Sequence, residues 1–299
     1  MLIVKGIFRL FFSCTLLIVS TTINADVLKV AVASNFAATM TVLAKHFEKK
    51  TGNQVKLIFG STGKHYAQIR NGAPFDAFFA ADVRRPVLLE EEGITVPKSR
   101  FTYAIGKLVL WSPKENVVDS SGKVLKQGRF RHLAIANPTI APYGRAAREV
   151  LQSLGLWESM KGKIVRGENI SQSYQFVNSG NAELGFVAYS QLKFPNQRMN
   201  GSYWKVPQAL YTPIEQQAVL IKDSEAGRSF LSYIQSKEAL MIIKDRGYET
   251  RGLLGLGDRS QGKSIWPDSP SIEVKPYTEL FTASINPEFD RHLIEFSDV

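Results

Sequence analysis

The feature that most constrains this chain is a unit that occurs twice near its start: a short β-branched run, a hydroxyl-bearing corner and an amphipathic helix. In the first copy Leu28-Lys29-Val30-Ala31-Val32-Ala33 reads as a buried strand. Met40, Leu43, Ala44 and Phe47 then fall at i, i+3, i+4 and i+7, one apolar helical face. Ser34 and Asn35, residue types that cap helix N-termini, stand between them. In the second copy Val55–Phe59 is the strand, Gly60-Ser61-Thr62-Gly63 the corner and Lys64–Ile69 the helix. Two such strands lying side by side bring two helix starts together. Each start carries unpaired backbone N–H groups at the positive end of a helix dipole, which is where an anion can be held.

The rest of the chain continues to alternate. Phe75–Asp82 reads as a third buried strand whose terminal Asp82 caps a helix around Pro86–Glu91, and Phe101–Trp111 as one long extended run stopped by Ser112-Pro113. His132–Ala136, Leu184–Tyr189, Tyr203–Leu210 and Gln216–Ile221 are further extended segments. Helices are expected after Tyr143-Gly144, from Asn169-Ile170-Ser171 to about Val177, and as a single long element over Ala226–Arg246 closed by Gly247. Strands alternating with helices give an α/β protein with largely parallel sheets.

Met1–Ala25 stands apart. Lys5 and Arg9 precede an apolar run from Leu10 to Val19 and a polar step ending at Ala25, the layout of a secretory signal peptide. The apolar run is short for a membrane anchor. Cys14, the one cysteine, falls inside this segment, so cleavage after Ala25 leaves none, which suits an exported protein. The formal net charge is +10, yet residues 251–299 hold five Lys/Arg against eight Asp/Glu. The remaining Lys and Arg are scattered without a dense run or a nucleic-acid motif, so the charge implies mild steering of anions and no nucleic-acid partner.

Enzymatic motifs fare poorly. Gly60–Lys64 lacks the first glycine and the final Ser/Thr of a phosphate-binding P-loop, because those positions are Ile58 and His65. No G-x-S-x-G elbow surrounds Ser34 or Ser61, which weakens a hydrolase using either serine with His65. Asp76 and Asp82 could pair for acid–base work, but strand-end and cap roles explain both without a nucleophile. His46, His65, His132 and His292 lack metal-ligand spacing. What remains is a set of hydroxyls and helix starts at Ser34, Ser61/Thr62, Pro142-Tyr143-Gly144 and Asn169-Ile170-Ser171.

Taken together, Val30–Ser34, Phe59–Gly63, Gly72-Ala73-Pro74-Phe75-Asp76-Ala77-Phe78-Phe79-Ala80-Ala81-Asp82, Ala141–Gly144, Leu184–Ala188 and Arg246-Gly247-Tyr248 resemble the molybdate-binding periplasmic component of ABC-type importers. The resemblance spans roughly residues 26–250. It implies an α/β, two-lobed, type II-like periplasmic binding protein, with two mixed, mostly parallel sheets flanked by helices and a ligand cleft between lobes. The expected division is signal peptide 1–25, first lobe 26–105, second lobe 106–214, a return to the first lobe over 215–250, and an extension of unassigned structure over 251–299. The family's oxyanion contacts fall on Ser34, Thr62 with Ser61 beside it, the Tyr143 and Ile170 amides, and a tyrosine. That last place is Ala188, with the tyrosine one residue on at Tyr189, which completes the expected set although neighbouring strand residues face opposite sides. The implied protein is a monomeric, non-enzymatic, periplasmic receptor without a cofactor. It takes molybdate or tungstate as an oxyanion, with no direct protein ligand to a metal ion, and its partner is a membrane permease. A receptor of the same fold for sulfate or phosphonate, and the serine hydrolase, are the alternatives.

Overall fold

The computed structural model describes residues 27–193 and 199–250. The segment expected as a signal peptide and the extension over 251–299 lie outside the described residues.

The first strand, β1 (Val27–Ala33), runs into a 3₁₀ turn over Ser34–Phe36 and then α1 (Ala37–Thr51). Met40, Leu43 and Phe47 are buried, and α1 ends where Gly52 takes a left-handed φ of 76° and its N–H bonds the Glu48 carbonyl. The second unit is β2 (Gln54–Gly60) and α2 (Thr62–Arg70), followed by β3 (Ala77–Ala80), α3 (Arg84–Glu91) and β4 (Phe101–Gly106). Then come β5 (Leu108–Ser112), α4 (Lys123–Gln127), β6 (Leu133–Ala136), α5 (Pro142–Ser153) and α6 (Trp157–Met160). These are followed by β7 (Ile164–Gly167), α7 (Ile170–Asn178), β8 (Leu184–Ala188), α8 (Tyr189–Leu192) and β9 (Ser202–Lys205). The chain closes with β10 (Ile214–Leu220), α9 (Glu225–Ile234) and α10 (Lys237–Asp245).

Among the described residues the strands form two five-stranded sheets, ordered β2-β1-β3-β10-β4 and β7-β6-β8-β5-β9. In the first, β1 pairs in parallel with β2 and β3, and β10 runs antiparallel to β3 and β4. In the second, β6 pairs in parallel with β7 and β8, while β5 is antiparallel to β8 and β9. Each sheet has its own apolar core. One gathers Phe36, Phe47, Phe79 and Phe230, and the other Leu110, Leu133, Leu151 and Phe186. Burying each such side chain contributes about 1.5–3 kcal/mol, so either half has the means to hold itself together. The fold is two-lobed, as the sequence implies.

The extended run over Phe101–Trp111 is shared by two strands in different sheets, with Lys107 alone between Gly106 of β4 and Leu108 of β5. One expectation needs correction. The long helix over Ala226–Arg246 is broken at Gln235-Ser236, because Ser236 turns to an extended conformation and its hydroxyl accepts from the Ala239 N–H at 3.2 Å, capping α10.

Candidate anion site

A small hollow of about 10 Å³ sits where strand ends of both sheets meet, lined by Ala33, Ser34, Asn35, Gly60, Ser61, Thr62, Ala81, Ala141, Pro142, Tyr143 and Ile170. Ser34, Ser61, Thr62, Tyr143 and Ile170 are thereby brought together from four helix starts, two on each side. All five are buried.

The local chemistry leaves donors aimed at this space. Ser34 opens the 3₁₀ turn, so the first N–H groups there have no partner within the turn. In α2 the cap hydroxyl of Ser61 accepts from Lys64 N–H at 3.4 Å, and Gly63 N–H goes to the Ile140 carbonyl at 2.8 Å. Thr62 N–H is the remaining first-turn donor. The Thr62 hydroxyl accepts from Ala81 N–H at 3.0 Å, which leaves its own proton to be given elsewhere. In α5 the first residue is Pro142, which has no N–H, so Tyr143 supplies the first one. In α7 the Asn169 side chain accepts from the Ser171 and Gln172 N–H groups, each at 3.0 Å, and Ile170 N–H is spared. None of the eleven lining residues is charged.

Direct bonds join the two lobes around the cavity. Besides Gly63 to Ile140, Arg85 Nη2 donates to the Thr139 carbonyl at 3.0 Å and Lys64 meets Glu168 at 3.0 Å. The Ser171 and Ser190 hydroxyls donate to the Ser34 and Asn35 carbonyls at 3.2 and 3.3 Å. Behind the site, Asn35 Nδ2 donates to Gln216 Oε1 at 2.7 Å, the Tyr103 hydroxyl donates to the same oxygen at 3.1 Å, and the Tyr248 hydroxyl donates to the Asn35 carbonyl at 2.7 Å. Burial pushes the Tyr103, Tyr143 and Tyr248 phenols up, keeping them neutral; of the three, the Tyr143 hydroxyl has no hydrogen-bond partner.

Tyr189 does not line this cavity. It begins α8 instead of extending β8, its N–H bonds the Lys107 carbonyl at 2.9 Å, and its ring lies under Lys205, 5.0 Å from the ammonium, in a different hollow. Ala188 is buried as the residue before that helix and is also outside the lining. Asn35 is the one polar side chain of the lining outside the expected contact set, although its place beside Ser34 is a usable signal. His65 stands behind Gly60, with Nε2 3.2 Å from the Val32 carbonyl and Nδ1 3.2 Å from Gln68 Oε1. Burial lowers its pKa, and both ring nitrogens are engaged away from Ser61. Asp76 accepts from Lys29 N–H, while Asp82 accepts from Arg85 N–H and pairs with its guanidinium, so the two carboxylates serve separate structural ends.

With that geometry in view, comparisons with known proteins agree among themselves. Residues 28–249 match the family model described as bacterial extracellular solute-binding protein. The molybdate-binding protein ModA of Azotobacter vinelandii is 52% identical over 228 residues, which is 75% of this chain and 90% of that protein. ModA of Rhodobacter capsulatus is 48% identical, over 74% of this chain and 87% of that protein. The solved periplasmic molybdate-binding protein of Azotobacter vinelandii superposes with a TM-score of 0.74 at 45% identity, covering 75% of this chain and all of that one.

Proposed function

The chain belongs to the bacterial extracellular solute-binding protein family, and from that premise we propose that it captures molybdate or tungstate and delivers it to an ABC importer. Ser34, Asn35, Ser61, Thr62, Tyr143 and Ile170 hold the oxyanion, and Tyr189 is left out of the set. The observation that carries this reading is a small hollow whose lining is wholly uncharged yet ringed by helix-start N–H groups and hydroxyls from both lobes.

A tetrahedral dianion entering a closed cleft must exchange its hydration shell for protein donors, or desolvation forbids binding. Hydrogen bonds to a charged group are worth about 1.5–3 kcal/mol each, so several neutral donors suffice without a lysine or arginine in contact. Fixed donors also read the ion's size, which favours molybdate and tungstate together over the smaller sulfate. The protein acts outside the inner membrane as a monomeric carrier. It performs no chemistry on its cargo, because His65 has both nitrogens committed elsewhere.

Isothermal titration of the purified protein with molybdate, tungstate, sulfate and phosphate tests this. The expected result is tight one-to-one binding of the first two, with thermal stabilisation by mass action of about 2.7 kcal/mol at a hundredfold excess over Kd. Heat with sulfate or phosphate alone rejects it.

A further inference from the structure

A second cavity, of about 260 Å³, opens at the crossing between the sheets and shares no lining residue with the anion site. Its walls are Leu108, Val109, Val206 and the Tyr189 ring, with Lys107 and Lys205 among them. We propose that this cavity is the docking site of the chain's own next segment, Arg251-Gly252-Leu253-Leu254-Gly255-Leu256-Gly257, whose leucines fill it and brace the crossing.

Four observations converge on that occupant. Gly247, Tyr248 and Glu249 form the remaining wall, so the chain leaves the described fold at the cavity itself, one residue before Arg251. Its exit is pinned there by a two-bond antiparallel bridge, Ile105 N–H to the Glu249 carbonyl at 2.7 Å and Glu249 N–H to the Ile105 carbonyl at 3.0 Å. The segment that follows has three leucines within four positions and no acid before Asp258, matching an apolar hollow. The longer stretch 251–299 carries eight Asp/Glu against five Lys/Arg, which complements Lys205 on the rim, where Lys107 is already paired with Glu249. Docking there reaches the anion site through one side chain: Tyr248 lines this cavity, and its hydroxyl bonds the carbonyl of Asn35, which lines the other.

The test uses the full chain with Cys14→Ser, which removes its one cysteine. A Val206→Cys reporter is placed in the cavity wall, and a Lys205→Cys reporter serves in a parallel protein in case the first fails to fold. Labelling of each thiol by a small maleimide is timed with the native segment and with Leu253→Ser/Leu254→Ser/Leu256→Ser. The expected result is labelling at least about tenfold faster once the leucines are gone, as for a site released from local protection. Equal rates in the two forms overturn the proposal. Protection that grows with protein concentration also overturns it, because a second copy is then the occupant.

Discussion

Replacing Gly63 by alanine sets two effects of opposite sign against each other. Gly63 is the second residue of α2, and in a solvated helix alanine is better than glycine by about 1 kcal/mol. Across the cleft, however, the new Cβ would lie 2.9 Å from both Cα and Cβ of Ile140 and 3.0 Å from Arg85 Nη2. Ordinary carbon contacts are about 3.5–4.0 Å, so the lobes must part by several tenths of an ångström. That movement stretches the 2.8 Å bond from Gly63 N–H to the Ile140 carbonyl. Overpacking costs about 1–3 kcal/mol and a lost hydrogen bond about 0.5–1.5 kcal/mol. A combined penalty of about 2 kcal/mol raises the Kd for molybdate by about thirtyfold. Because the penalty falls only on the closed arrangement, the melting temperature of the ligand-free protein should hold or rise. Titration calorimetry measures the first quantity and a thermal melt the second. An unchanged Kd refutes the reasoning, and so does weaker binding accompanied by a lower melting temperature, since the substitution would then have damaged the fold.

Two further outcomes are expected. Ser34→Ala removes one donor to a charged ligand, worth about 1.5–3 kcal/mol; calorimetry should show binding weaker by at least about tenfold, and a smaller change would place Ser34 outside the contact set. Glu238 is buried, pairs with Lys50, and lies 3.2 Å from His46 Nδ1. The hydrogen bond with His46, with Lys50 adding to it, holds its carboxyl below the ordinary range. The folded protein thus keeps the carboxylate ionised where the unfolded chain has already taken up a proton. The stabilisation is complete above the unfolded value of about 4.3 and is lost as pH falls through the lower folded value. Urea unfolding between pH 6 and pH 3 should show a shallower acid loss in Glu238→Gln than in the parent, and identical slopes would discard the role given to this pair.

How far the sequence could be read depended on whether a signal was local. The strand–hydroxyl–helix units around Ser34 and Ser61, the Asp82 cap and the Asn169 helix start are decided within a few residues, and each stands where its residue types put it. The break at Ser236 was missed because its apolar neighbours keep helical spacing on both sides, so only the capping serine marks the stop. The direction of Tyr189 depends on whether β8 continues or α8 begins, and the only local mark of the helix start is Gln191, whose side chain accepts from the Ala188 N–H at 2.9 Å. The bonds across the cleft, such as Arg85 to Thr139, join residues with no pattern in common. They exist only once two independently packed sheets face each other.

The brevity of the link at Lys107 has a mechanical consequence. With one residue between β4 and β5, and only Tyr211-Thr212-Pro213 separating the 3₁₀ turn that ends at Leu210 from β10, the chain offers a pivot and no slack. Links this short confine any opening to a swing about them, because the two halves have no length of chain with which to slide or skew. A jaw of that kind brings its teeth to the prey together, so a guest too wide by a fraction of an ångström holds all of them off at once.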